Sequence, residues 1–156
     1  MTIRRFEEKD AQAVSDLIAY TLRTTNSRDY PAEYIENDIA HLQPADILAR
    51  AIWQHFYVAE QDGSIIGCGA IGPYWGKADE SSLFTVFVHP DHQGQGIGRR
   101  IIEALEQDEY FLRAKRIEIP ASITGTHFYL RMGYVYKDGV VEPDAEGLLR
   151  LEKWRE

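Results

Sequence analysis

The pattern of apolar and polar positions begins with a short strand and an amphipathic helix. Residues 2–6 alternate weakly between the two kinds, which predicts a strand. Apolar side chains then recur at helical spacing behind Asp10, which we expect to be the N-cap residue of the helix. The apolar face of this predicted helix comprises Val14, Leu17, Ile18, Thr21 and Leu22.

The stretch from Ser82 to Leu105 combines three elements. Residues 82–88 are almost wholly apolar or β-branched on both sides, which predicts a central strand buried on both faces, and Pro90 ends it. After a glycine-rich turn, apolar residues return at helical spacing over residues 97–105. The turn is therefore predicted to lie at a helix N-terminus.

The rest of the chain supplies shorter elements. Residues 24–46 contain Pro31 and Pro44 and predict a loop and a helix, followed by a second short helix over 45–53. Gln61-Asp62-Gly63 is a hairpin signal, and residues 77–80 read as a charged loop before the central strand. Further strands are expected at residues 56–60, 64–71, 116–119, where Pro120 interrupts, and 148–154.

These elements predict one mixed α/β domain of the α+β type over residues 1–156. Its central sheet should be mostly antiparallel, with six or seven strands, and about four helices should flank it. The strand from Ser82 should lie in the middle of the sheet, next to the strand from Arg116. A chain of 156 residues with 44% apolar residues can bury the core that such a domain needs.

Charge and hydropathy exclude several classes of function. The net charge of −8 argues against a nucleic-acid partner, because phosphate binding needs clustered Lys and Arg. The chain lacks a run of about 18 apolar residues, the length of a membrane span, and its first ten residues lack the apolar core of a signal peptide. We therefore expect a cytoplasmic protein without a membrane partner.

Cysteine and histidine usage bears on metals and disulfides. The one cysteine, Cys68, lies in an apolar run, where a small buried residue is the expected role, and it excludes an internal disulfide. The five histidines do not have the spacing of a metal site. No metal is therefore expected.

Three glycines at alternate positions, Gly94, Gly96 and Gly98, form the turn before the second amphipathic helix. Without Cβ atoms, their backbone can approach a ligand and direct several N–H groups into one concavity. The N–H groups of the first helical turn and the helix dipole favour a phosphate or pyrophosphate there. The spacing fits neither the dinucleotide fingerprint nor the Walker pattern.

Two longer motifs remain. The first is Gln93-x-x-Gly96-x-Gly98 after a strand that ends in Val-His-Pro, and the second is Phe128-Tyr129-x-x-x-Gly133-Tyr134. Both resemble motifs of the GNAT family of acyl-CoA-dependent N-acyltransferases. The resemblance covers nearly the whole chain and implies acetyl-CoA as co-substrate. It implies that pantetheine binds Phe87, Val88 and His89, and that pyrophosphate binds Gln93, Gly94, Gln95, Gly96, Ile97, Gly98 and Arg99.

The same resemblance suggests catalytic residues. Tyr129 would protonate the departing thiolate, unless it is only a packing aromatic, and the Val88 N–H would polarise the thioester carbonyl. The central strand has no carboxylate that could deprotonate the amine. Glu80, at the entrance of this strand, is the first candidate for that base, and an acid of the 29–46 segment is the second. Surface roles are expected for His89 and His92, and His127 is a weak candidate.

The segment 29–46 contains five carboxylates and no Lys or Arg. It could attract an amine acceptor, or it could be a solvated helix face of an acidic protein. Its acidic residues are Asp29, Glu33, Glu36, Asp38 and Asp46.

The expected function is transfer of acetyl from acetyl-CoA to a primary amine of a small molecule or a protein. The alternative from a different class is a sensor module that binds acyl-CoA without turnover. A homodimer is left open by the sequence.

Overall fold

A seven-stranded sheet organises residues 1–155, the part of the chain that the computed structural model describes. Its strands are β1 Thr2–Arg5, β2 His55–Gln61, β3 Ser64–Tyr74, β4 Lys77–Val88, β5 Arg116–Ser122, β6 Val135–Tyr136 and β7 Leu148–Trp154. The α-helices are α1 Ala11–Thr24, α2 Ala32–Ala40, α3 Pro44–Trp53, α4 Ile97–Leu105, α5 Glu109–Leu112 and α6 Thr126–Arg131. In this range no helix has the length and apolarity needed to cross a membrane.

The strand order is β1-β2-β3-β4-β5-β7-β6. Among the described residues, only the pairing of β4 with β5 is parallel, so the sheet is mostly antiparallel as predicted. β4 lies in the middle of the sheet beside β5, which confirms the position expected for the strand from Ser82. The part of the chain that the structure describes has six α-helices rather than about four, because α5 and α6 are short additional segments of 4 and 6 residues.

Helices cover both faces of the sheet. On one face, α4 packs on β3 at two glycines, and a Cβ atom on Gly67 or Gly69 would come within 2.8 Å of the Ile101 side chain. On the other face, α1, α2 and α3 enclose a second core. The predicted apolar face of α1 is buried throughout, and so is Cys68.

Two tight turns connect the strands of the two central hairpins. Asp62-Gly63 joins β2 to β3, and Trp75-Gly76 joins β3 to β4, with positive φ angles at all four residues. Two-residue turns of this kind match the twist of the strands that they connect. Because the second turn leads directly into β4, residues 77–80 belong to the strand, and the predicted charged loop is wrong.

β4 and β5 diverge after a short parallel pairing. Residues 80–82 pair with residues 116–118, and beyond them the two strands separate. A bulge at Thr85, with φ 55°, bends β4 at this point. Residues 84–88 are consequently only half-buried. The prediction that these residues are buried on both faces is wrong, because the edge that they turn away from β3 lines an opening between β4 and β5.

β5 continues through Pro120 to Ser122, although the proline was expected to interrupt it. Pairing with β7 persists there, since Pro120 lies opposite Arg150. On the side of β4, the ladder has already ended at Glu118. A proline is tolerated at such a free edge.

Asp10 precedes α1, but its carboxylate does not cap that helix. Instead it accepts a hydrogen bond from the Glu7 backbone N–H at 2.8 Å and pairs with the Arg4 guanidinium. This side chain therefore stabilises the 3₁₀ helix at Glu8–Asp10, which directly precedes α1.

Candidate active site

A cleft of about 670 Å³ opens where β4 and β5 diverge. Residues 83–88 of β4 form one wall, and residues 119–122 of β5 form the opposite wall. The glycine turn, α6 and residues from α1, α2 and α3 complete the lining. Most of the predicted site residues therefore meet in one place.

The glycine turn presents an open, concave backbone to this cleft. Gly94 and Gly96 have φ angles of 78° and 80°, a region that side chains other than glycine rarely adopt. A Cβ atom on either would meet no atom within 4 Å, so the space beside the turn is free. Gly96 is the N-cap residue of α4, whose first N–H groups have no intrahelical partner. This geometry fits a bound phosphate group.

Gly98 has a different role from the other two glycines. A Cβ atom at this position would lie 3.1 Å from Cζ of Phe128. Its missing side chain therefore makes room for α6 against the first turn of α4. Gly98 also lines the cleft, so its predicted role beside a ligand stays a prediction.

Gln93 connects the turn to its surroundings. Its Nε2 donates to the Val88 carbonyl at 3.0 Å and lies 3.5 Å from the Thr25 hydroxyl at the end of α1. The side chain thus holds the turn against the end of β4. Arg99 and Ile97 also line the cleft, whereas Gln95 does not.

The end of β4 directs one backbone N–H into the cleft. The His89 N–H donates to the Ile66 carbonyl on β3 at 2.8 Å. Because successive residues of an antiparallel ladder point to opposite edges, the Val88 N–H faces away from β3 and toward the cleft. The His89 ring lies outside the cleft beside Tyr20, with 5.1 Å between ring centroids. Phe87 lines the cleft as expected.

Tyr129 lies at the bottom of the cleft, in edge-to-face contact with Phe128 at 5.2 Å. Burial, with the nearby Cys68 thiol, raises its pKa well above the usual tyrosine value. Among residues 1–155, no group forms a hydrogen bond with its hydroxyl. The hydroxyl therefore keeps its proton at neutral pH and can donate it to a ligand.

Glu80 lies outside the cleft. Its Oε1 is 2.8 Å from the Arg116 guanidinium, which also binds Glu118 and Glu152. Lys77 approaches the other carboxylate oxygen at 3.5 Å. The structure thus places our first candidate for the base in a cluster of ion pairs and does not bring it to the other site residues.

Of the five acids in segment 29–46, only Asp38 lines the cleft. Its carboxylate is half-buried, and this burial raises its pKa from the ordinary value of 3.8, although His41 and Arg50 oppose the shift. The remaining four acids have other environments: Asp29 bonds Thr124, Glu36 pairs with Arg23, Asp46 accepts from the Gln43 backbone, and Glu33 is exposed.

Sequence reasoning missed several residues that line the cleft. Tyr30 and Tyr34 stack at 4.3 Å with an interplanar angle of 12°, and Arg50 of α3 is a further lining residue. The four-residue spacing of the tyrosines could have indicated their stacking, but no local pattern marks Arg50. His92 lines the cleft, whereas His127 is exposed and outside it.

The cleft combines two diverging central strands, a glycine turn at a helix N-terminus and a tyrosine. This combination defines the class of the GNAT N-acyltransferases. The family model described as "Acetyltransferase (GNAT) domain" matches residues 53–136, more than half of the chain. The protein belongs to the GNAT family of acetyltransferases.

Two relatives illustrate the range of the similarity. An amino-acid acetyltransferase of Ralstonia nicotianae is 32% identical over 101 residues, which are 65% of this chain and 22% of that protein. An uncharacterised N-acetyltransferase of Methanocaldococcus jannaschii is 28% identical over an alignment 178 residues long, and this alignment covers 99% of this chain and all of that protein. The chain thus spans less than a quarter of the first relative and the full length of the second.

The fold resembles that of the PaiA N-acetyltransferase from Thermoplasma acidophilum, which was solved in complex with coenzyme A. The TM-score is 0.85 at 18% sequence identity, over 99% of this chain and 98% of that one. This likeness confirms the predicted architecture.

Proposed function

We propose that the protein transfers an acetyl group from acetyl-CoA to a primary amine of a small molecule or a protein. The observation that carries this proposal is the convergence, in one cleft, of the glycine turn, the outward-facing N–H of Val88 and the Tyr129 hydroxyl. Together they offer an anion site, a donor for a carbonyl oxygen and a proton for a leaving group.

The binding roles follow from the positions of these groups. The N–H groups of residues 94–98 would hold the pyrophosphate of acetyl-CoA, which supplies an acyl group already activated as a thioester. The free edge of β4 would hold the pantetheine arm. The Val88 N–H would then donate to the thioester oxygen, where negative charge develops during acyl transfer.

Asp38 is our proposed base in place of Glu80. An alkylamine with a pKa near 10 arrives protonated, and its nitrogen attacks only after losing a proton. Asp38 faces the cleft, and its raised pKa suits proton acceptance better than that of an ordinary aspartate. As the new C–N bond forms and the C–S bond breaks, Tyr129 gives its proton to the sulfur.

Thiol release tests the proposal. Acetyl-CoA is incubated with the protein and a panel of primary amines, and CoA binding is measured by calorimetry in parallel. We expect CoA to bind and free thiol to appear with at least one class of amine. Binding of CoA without thiol release across the panel would favour the sensor instead, and failure to bind CoA would contradict both.

A further inference from the structure

Two opposite charges without a salt bridge line the cleft. Asp38 on α2 and Arg50 on α3 are both half-buried there, and the Arg50 charge is near enough to oppose the rise in the pKa of Asp38. Among residues 1–155, neither side chain forms a salt bridge, either with another residue or with each other. Half-buried charges usually have partners, so this pair is suited to a ligand that carries both charges.

Arg50 differs in position from the other arginines of the cleft. Arg99 lies in the first turn of α4, and Arg131 ends α6, which packs against that turn. Both therefore lie near the expected phosphates. Arg50 is one helical turn before Trp53, whose ring meets Phe84 of β4 edge-on at 5.5 Å. Its positive charge is thus left for the acceptor.

Aromatic and apolar side chains line the same cleft. The stacked rings of Tyr30 and Tyr34 belong to its wall, and so do Ile35 and Leu148. The hydroxyl of Tyr30 is already used, since it donates to the Gly147 carbonyl and accepts from the Ile123 N–H. An acceptor with an uncharged, apolar body fits such walls.

We propose that the acceptor is a free amino acid with an apolar side chain. Its ammonium group binds Asp38, and its carboxylate binds the Arg50 guanidinium, whose planar fork suits a carboxylate. This inference rests on the proposed function and specifies its substrate class. It disfavours the lysine side chain of a protein, because that amine has no neighbouring carboxylate for Arg50.

A matched series of acceptors tests the inference: leucine, leucinamide and 3-methylbutylamine share one apolar body and differ at the carboxylate. We expect kcat/KM for leucine to exceed that of the other two by about 10–100-fold, the usual value of a charge-assisted hydrogen-bonded pair. Arg50→Gln should remove this preference by lowering kcat/KM for leucine more than for 3-methylbutylamine. Arg28→Gln, an exposed arginine outside the cleft, is the control and should retain the preference.

Calorimetry of leucine with the CoA-saturated protein separates this inference from the proposed function. Leucine binding that Arg50→Gln weakens about tenfold or more supports the acceptor site even if no thiol is released. Thiol release from all three acceptors at equal rates overturns the inference and leaves the acetyltransferase proposal standing. The inference is also overturned if Arg50→Gln lowers kcat/KM equally for all three acceptors, or if leucine does not bind.

Discussion

The Tyr129 hydroxyl is protonated at neutral pH, because burial raises its pKa further above that of an ordinary tyrosine. We expect Tyr129→Phe to lower kcat by about 10²–10⁴-fold, the usual contribution of general-acid assistance. The ring still packs against Phe128, so CoA affinity should change by less than about 1 kcal/mol. Steady-state kinetics and calorimetry measure the two effects.

Tyr134→Phe is the matched control for this prediction. Tyr134 is also buried, but its hydroxyl donates to Glu106 at 3.1 Å outside the cleft. Loss of this hydroxyl should lower the thermal stability of the protein and leave kcat nearly unchanged. Equal activity of Tyr129→Phe and the native protein would show that Tyr129 is a packing aromatic.

The proposed role of Asp38 as base predicts how kcat/KM changes at acidic pH. A base works only when deprotonated, so kcat/KM should fall as the pH drops through the pKa of Asp38, which burial raises above 3.8. Asp38→Asn should reduce kcat and abolish this acid limb. Glu33→Gln, on the exposed side of the same helix, should keep both. An unchanged acid limb in Asp38→Asn would assign the base to another group.

Individual site residues were predictable where a motif fixes them and not where distant elements do. The two motifs placed Gly96 and Tyr129 in the cleft from the sequence alone. The ion pair of Glu80 could not be predicted, because its partner, Arg116, is 36 residues away and belongs to the neighbouring strand. Arg50 was missed because it joins the cleft only through the packing of α3.

At the level of the element, the glycine turn and the helix behind it form one unit. We expect Gly96→Val to weaken CoA binding by a few kcal/mol, because a β-branched residue at φ 80° is strained and moves the N–H groups out of alignment. Gly98→Val should instead lower the melting temperature of the ligand-free protein, since its side chain pushes against Phe128. Thermal shift with and without CoA distinguishes the two effects.

Gly76→Val provides the control for the glycine prediction. Gly76 has a φ of 74° and open space around its Cβ position, but it lies in the hairpin turn before β4, away from the cleft. The variant should lose stability like Gly96→Val and retain its affinity for CoA. Loss of CoA binding in both variants would point to general destabilisation.

Local patterns predicted the elements better than their ends. The apolar faces of α1 and α4 specified these helices, since burial against a sheet demands their periodicity. The start of β4 was missed because residues 77–80 are polar and charged, and they become a strand only by pairing with β3 and β5. Such long-range pairing leaves no periodic trace in one short segment.

The stability of the whole fold depends on a buried ionic cluster, which lies where β4 and β5 are still paired. The Arg116 side chain is 5% exposed and binds three carboxylates. Arg116→Met should destabilise the fold by about 3–5 kcal/mol, because Glu118 and its neighbours lose their main counter-charge. Glu80→Gln should cost less and leave kcat unchanged. Chemical denaturation and thiol release measure these effects, and a large loss of kcat in Glu80→Gln would restore Glu80 as the base.

The divergence of β4 from β5 leaves an unpaired backbone edge inside the sheet rather than at its rim. The amides of two successive residues should therefore exchange their hydrogens with solvent at very different rates. His89, bonded to Ile66, should exchange slowly in the free protein, and Val88 should exchange fast. If the pantetheine arm of CoA occupies this edge like an added strand, CoA should slow the exchange of Val88 and leave His89 nearly unchanged.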